Sequence, residues 1–393
     1  MSTIATQQKI ITFAIVNGLI AQFAMDIYIP SMPAMVKAFK TINDTIQFSY
    51  FYFMLGFGLA IFCYGFLRKL INYRTIFILC NTIFLLATLA IIYSDQITYF
   101  LFFRFIQGLG AGLGSMAIII ALIYLMFSPA KLGIYVSYAV FFLTTANILA
   151  PLLGGYLQEF YDWQSNFIFL FILAFLLLIL SYFLLPNIIF ASSAKKGFSI
   201  TKVRSLLANK QYITHVIYAI ICVNIIVCYL IMSSFILQMH LGISTRIYGW
   251  IASLVSLLFS LGSLCNSMLL NRYLPKHLIY VGLIISFFGI ASFFAASYFA
   301  TTSVTAFIIP MTISALGLGI LYPNFVACGF INFTSFIIDA TSLLSILKIT
   351  IICLFMIFIA LLPDTFFICA LLTSAMYSLL LFLILIFNRE YLI

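Results

Sequence analysis

The chain has 393 residues, 65% of them hydrophobic and only 7% charged, with a formal net charge of +10 and a mean hydropathy of +1.26. A soluble domain carries about a quarter charged residues, so this chain is solvated mainly by lipid. All but two of its 18 Lys and Arg lie in short loops between apolar stretches rather than on one basic face, which argues against a nucleic-acid partner.

Apolar runs of about 20 residues read as membrane-spanning helices. Twelve occur, at 10–36, 46–67, 74–93, 98–124, 132–158, 165–186, 212–238, 247–270, 277–298, 303–328, 334–361 and 364–387. The first runs into Asp26 and two prolines without a small-residue cleavage site, so it reads as a span and not as a removable signal. With the N-terminus inside, Lys9, Arg68, Lys69, Arg74, Lys131, Lys195, Lys196, Lys202, Arg204, Lys210, Arg272, Lys276 and Arg389 are cytoplasmic, 13 of the 18 cations. Lys37, Lys40 and Arg246 fall outside, together with Asp44, Asp95, Glu159, Asp162 and Asp364, while Glu390 is inside. Loop Lys/Arg asymmetry sets orientation, so both termini are predicted to be cytoplasmic, and one span more or fewer scrambles the pattern.

The first span contains "FAMDIYIPSMPAM", residues 23–35. A carboxylate inside a span is costly, about 2.5–3.5 kcal/mol at a helix centre. Asp26 is 16 residues above Ile10 on a rising helix, and Arg104 is six residues below Thr98 on a descending one. At 1.5 Å per residue both lie in the outer half at similar height, which makes an Asp26–Arg104 contact between spans one and four geometrically feasible. If transport separates the two, Asp26 takes up a proton. The alternative is that Asp26 caps backbone broken by Pro30 and Pro33 and never titrates.

Further along, "YGFLRKLINYRTIFI" at the end of span two and "NSMLLNRYLPKHLIYV" at the end of span eight share a course from small and apolar residues to a basic turn. That faint repeat predicts two six-helix halves with a site at the midplane. In span four, Gly108/Gly112 and Gly110/Gly114 form GxxxG pairs, read as close helix packing and not as a phosphate loop. Pro151 lacks an N–H and bends span five, with Gly154 and Gly155 easing the crossing. Trp163 and Trp250 are placed at outer interfaces as anchors. The connection "PNIIFASSAKKGFSITKVRSLLANKQ" holds five cations and no acid. Ile200, Val203, Leu206 and Leu207 recur at helical spacing, so part of it is either an amphipathic surface helix or a solvated linker.

The eight cysteines (63, 80, 222, 228, 265, 328, 353 and 369) lie within apolar segments without CxxC spacing and read as small packing hydrophobes. In span eleven, Asp339 and Lys348 are nine apart and cannot pair on one helix face. Asp339 is expected to be hydrated near the inner surface. Lys348 lies near mid-membrane, facing a cavity or a partner helix.

Together these residues resemble the major facilitator superfamily, specifically its Bcr/CflA (bicyclomycin-resistance) branch of twelve-span drug:proton antiporters. "MDIYIPSMPAM" is similar to the branch's first-helix pattern. "RFIQGLGAG" looks like the fourth-helix motif, which places Arg104, Gln107 and Gly108. "ANILAPLLGGYL" resembles the fifth-helix antiporter motif, keeping Pro151, Gly154 and Gly155 but with Ala146 and Ala150 where glycine is usual. "GLGILYPNF" resembles the tenth-helix pattern, here Pro323 and Asn324. The loop between helices two and three departs from the family. It retains Gly65 and Arg74, but Lys69 stands in the Asp position and Asn72 in a glycine position. That Asp belongs to the family's gating charge lock. Lys348 also stands where the branch commonly has an uncharged polar residue.

The resemblance implies an all-α membrane protein of the major facilitator fold, with an N-terminal bundle 1–190, a cytoplasmic linker 191–211 and a C-terminal bundle 212–393. It implies a monomeric, multi-pass protein of the inner membrane that binds protons and a small molecule, without cofactor, metal or nucleic acid. The expected activity is proton-coupled export of small lipophilic compounds, with a dedicated metabolite transporter as the alternative. Asp26 and Arg104 are the expected coupling pair. Gln22, Met25, Asp26, Met54, Asn147, Asn224 and Asn324, polar or adaptable residues within spans, are the expected substrate contacts. Gly65, Arg74, Gln107, Gly108, Pro151, Gly154, Gly155, Asp339 and Lys348 are the expected gating or structural set. A membrane enzyme needs clustered acids or histidines, whereas His215, His240 and His277 are scattered. No span repeats polar residues along one stripe, as a channel requires.

Overall fold

The computed structural model describes residues 4–67, 72–112, 118–119, 122–123, 129–185, 200–270, 272–299, 302–331, 333 and 337–387. Gly114, residues 68–71 with Lys69, and the linker up to Ser199 lie outside them. The described residues are helical throughout apart from short turns. The helices are α1 (Ile4–Asp26), α2 (Met32–Ala38), α3 (Asn43–Leu67), α4 (Tyr73–Ile92), α5 (Ile97–Ala111), α6 (Pro129–Phe160) and α7 (Gln164–Leu184). After them come α8 (Ile200–Ala208), α9 (Lys210–Phe235), α10 (Thr245–Leu269), α11 (Pro275–Phe299), α12 (Val304–Phe330), α13 (Ile337–Ile359) and α14 (Phe366–Phe387). Eleven candidate spans are long and apolar enough to cross a membrane, with the described part of span four, Ile97–Ala111, as a shorter apolar helix.

The predicted first span is broken. α1 stops at Asp26, a 3-10 turn covers Ile29–Ser31, and α2 resumes at Met32. Pro30 and Pro33 account for the interruption, since neither can donate a backbone N–H. Elsewhere side-chain caps start the helices. The Asn72 side chain accepts from Thr75 N at 2.8 Å, and that of Asn209 accepts from Tyr212 N at 2.8 Å. Such caps stabilise by about 1 kcal/mol each. The predicted helix in the connection forms as α8, with Leu206 buried and Leu207 49% exposed.

Two compact units are present: Met1–Val203 with Ile338–Ile357, and Arg204–Ile337 with Phe358–Ile393. Span eleven therefore packs mainly with the first unit. There α5 lies between α3 and α4, and α1 packs on α6 and α7. In the second unit α12 occupies the corresponding place between α10 and α11. The same device closes both crossings. A Cβ on Gly56 would overlap the Phe105 carbonyl and one on Gly108 the Phe53 carbonyl; a Cβ on Gly262 would overlap Leu316 O and one on Gly319 Phe259 O. Lipid provides no hydrophobic drive between helices, so backbone-to-backbone approach at small residues supplies the packing. This reciprocal glycine pairing thus occurs in both units.

Trp163 is not an interfacial anchor. It is 5% exposed and packs against Phe39 (5.1 Å), Phe100 (5.9 Å) and Phe167 (5.9 Å), because the turn before α7 folds over the α2 end. Trp250, 54% exposed, keeps a surface position.

Candidate transport site

The site is built around the break in α1. Asp26 is the last residue of α1 and is partly exposed, and its carboxylate makes no hydrogen bond or ion pair with a described residue. One turn earlier, Gln22 Nε2 donates to Asn147 Oδ1 of α6 at 2.9 Å. Two residues predicted independently as substrate contacts thus meet, both half-buried. Met25 and Met54 are 7% and 4% exposed, closed within the helix packing. Below the break, the Tyr28 hydroxyl and Ser49 Oγ of α3 share a hydrogen bond of 3.0 Å.

Arg104 is fully buried, and it does not pair with Asp26. Its Nη1 donates to the Ala24 carbonyl at 3.2 Å and to Gln107 Oε1 at 2.5 Å. Gln107 Nε2 donates on to Thr88 Oγ1 of α4 at 2.8 Å, and Thr88 donates to the Phe84 carbonyl at 2.6 Å. The guanidinium carbon sits 4.3 Å from the ring centroids of Tyr28 and Phe53 and 5.8 Å from that of Phe167. Cation–π attraction is largest where water is excluded, about 2 kcal/mol or more. Matching the height of two residues on their helices constrains depth but not direction. The rings of Tyr28 and Phe53 capture the guanidinium before it can reach the carboxylate. Sequence reasoning missed this cage, although Tyr28, two residues past Asp26, was a visible signal.

The other expected residues distribute as follows. Gly154 allows α6 to close on the Ile27 backbone, so the segment carrying Pro151 and Gly155 braces the break in α1. Arg74 Nη2 donates to the Tyr182 carbonyl at 2.5 Å and lies 5.7 Å from that ring, joining α4 to the end of α7. Gly65 falls in the last turn of α3. Asp339 is not hydrated at a surface: it is 9% exposed in the first turn of α13, where the positive end of the helix dipole favours an anion. Lys348 is partly buried and makes no hydrogen bond or ion pair with a described residue. In the second unit, Asn324 Nδ2 donates to Asn266 Oδ1 at 2.6 Å and to the Ile320 carbonyl at 2.9 Å, a brace between α12 and α10. Asn224 Nδ2 donates to the Ile220 carbonyl at 3.0 Å, and its buried Oδ1 has no hydrogen-bond partner among the described residues. The eight cysteines are free thiols, and no cluster of three metal-ligating side chains occurs among the described residues.

A profile described as Major Facilitator Superfamily matches residues 14–336. The chain belongs to this family. It is a transporter rather than an enzyme, a multi-pass protein of the inner membrane. Multidrug resistance protein D of Escherichia coli is 25% identical over 154 residues, 39% of each chain. The bicyclomycin resistance protein homolog of Haemophilus influenzae is 23% identical over 184 residues, 46% of each. The chain thus matches these relatives over less than half their length, and they are of the drug-transporter type that the first- and fourth-helix motifs resemble. The crystal structure of a D-xylose–proton symporter superposes with a TM-score of 0.73 over 97% of both chains at 16% identity, a likeness of fold.

Proposed function

We propose that this transporter exchanges protons for small, mostly lipophilic compounds, exporting them by alternating access. The observation that carries the reading is Asp26, a carboxylate at the end of a broken helix with no hydrogen bond or ion pair to a described residue. Intramembrane acids of this kind mark proton relays and substrate paths. A bound compound that displaces water from the Gln22–Asn147 strip changes the local polarity, and with it the proton's hold on Asp26. The drug-resistance names of the relatives in Escherichia coli and Haemophilus influenzae favour export. One charge crossing about 100 mV supplies about 2.3 kcal/mol, and one pH unit about 1.4 kcal/mol. One proton thus supports a gradient of tens- to hundreds-fold.

A second reading, a dedicated transporter of one metabolite, is favoured by Lys69 in the place of the family's gating Asp and by Lys348. Proteoliposomes loaded with a pH-sensitive dye test the first reading. Adding a transported compound should move protons with the native chain and not with Asp26→Asn. Equal proton movement with the variant removes Asp26 from the mechanism. Transport of one metabolite and of no unrelated lipophilic compound supports the second reading.

A further inference from the structure

Four formally charged residues lie well inside the spans, and the structure accounts for two of them. Arg104 is held by the Ala24 carbonyl, Gln107 and three rings. Asp339 is buried in the first turn of α13. Lys348 has no such account. Its face of α13 follows from its neighbours. Thr341, seven residues before, is 7% exposed, and Ile352, four residues after, is 2% exposed; residues at this spacing share one face. Leu354 and Ile357, six and nine residues on, are exposed on the other side of the helix. Lys348 therefore points inward, away from lipid.

The height of Lys348 is also fixed within the first unit. Ile349 packs against Gly58, and the Cys353 thiol lies 3.9 Å from the Phe51 carbonyl, so α13 meets α3 at these two places. Ser49, two residues before Phe51 in α3, shares a hydrogen bond of 3.0 Å with Tyr28, two residues after Asp26. Lys348 is about one and a half turns from Cys353 along the helix. One cation and one acid, neither hydrogen-bonded nor ion-paired to a described residue, are thus carried within the same unit at neighbouring depths. An inward-facing charge inside a span is retained where it meets a substrate or a relay.

We infer that the substrate is zwitterionic: an apolar body whose anionic group is met by Lys348 and whose cationic group competes with the proton on Asp26. This rests on the proton-exchange reading above and narrows its substrate class. An anion alone, drawn to Lys348, would favour the protonated Asp26 and so travel with the proton. A cation alone would leave Lys348 without a counter-charge. An amine joined to a carboxylate satisfies both groups and releases the proton as it binds.

The test uses the full chain in detergent and three matched probe sets. These are ω-aminohexanoate, ω-aminooctanoate and ω-aminododecanoate; the amides of the same acids; and their N-acetyl derivatives. Binding is measured by titration calorimetry. At least one amino acid of the series should bind native protein tenfold or more tighter than both its amide and its N-acetyl form. Lys348→Gln should erase the preference over the amide, Lys348→Arg should retain it, and Asp26→Asn should erase the preference over the N-acetyl form. Failure of the whole series to bind, or an unchanged preference in both Lys348 variants, overturns the inference. Proton release in the same titration separates the two readings. Lys348-dependent binding without proton release keeps the zwitterion and discards exchange. Proton release driven equally by the amides, in native and Lys348→Gln protein, keeps exchange and discards the zwitterion.

Discussion

The Arg104 guanidinium donates to the carbonyl of Ala24 at 3.2 Å, two residues before Asp26, and leaves the Asp26 carboxylate without an ion pair to a described residue. The cation therefore stabilises the end of α1 as a structural part. On the proposed reading, a proton exchanges at Asp26 without Arg104 changing its partners.

Replacing Arg104 separates these roles. Arg104→Ala leaves the Gln107 and Ala24 oxygens buried without their donor, at a cost of about 1–3 kcal/mol each, and removes the cation from the ring cage. Its melting temperature in detergent should fall clearly. Arg104→Lys keeps the charge but not the planar fork and should fall between the two. Melting of Arg104→Ala at the native temperature would show that the cage contributes nothing.

The glycine contacts predict a contrast. Gly108→Ala and Gly154→Ala each drive a Cβ into backbone, of Phe53 and Ile27 respectively, which must move apart. Overpacking of this kind costs about 1–3 kcal/mol. Gly242 has φ +67° and nothing within 4 Å of a Cβ, so Gly242→Ala incurs only backbone strain of about 1–2 kcal/mol. Thermal unfolding and transport assays of the three variants should show the first two losing stability and transport together and the third retaining transport.

In the second unit, Asn324 and Asn266 form one brace. A double-mutant cycle with Asn324→Ala and Asn266→Ala, read by unfolding in mild detergent, should give a coupling of about 0.6 kcal/mol and at most about 1.7 kcal/mol. Additive losses would mean that the two amides act independently.

Gln22 and Asn147 offer the parallel test on transport. If their hydrogen bond holds α1 against α6 beside Asp26, Gln22→Ala and Asn147→Ala should each weaken apparent substrate affinity several-fold. The double variant should be no worse than the poorer single one. Independent, multiplying losses would place the two side chains on separate substrate contacts.

Much of this architecture was legible because lipid imposes simple rules. The apolar run lengths marked the spans, Pro30 and Pro33 marked the break that ends α1, and spaced glycines at 108 and 112 marked a crossing that the structure closes against Phe53 and Ala60. The Gln22–Asn147 contact joined two residues chosen only for being polar within spans. The misreadings share a cause. Arg104, Trp163 and Asp339 were placed by depth, and depth does not say which way a side chain turns. For Arg104 that was decided by Tyr28 and Phe53, and for Trp163 by Phe39 and Phe100. These are long-range packing partners that no local spacing announces.

The most direct measurement is infrared difference spectroscopy of the native chain against Asp26→Asn, recorded as substrate is added and removed in lipid. A protonated-carboxyl band that appears and disappears with substrate in native protein, and is missing from the variant, is the predicted result. A spectrum in which Asp26 keeps one charge state through binding and release would contradict the account.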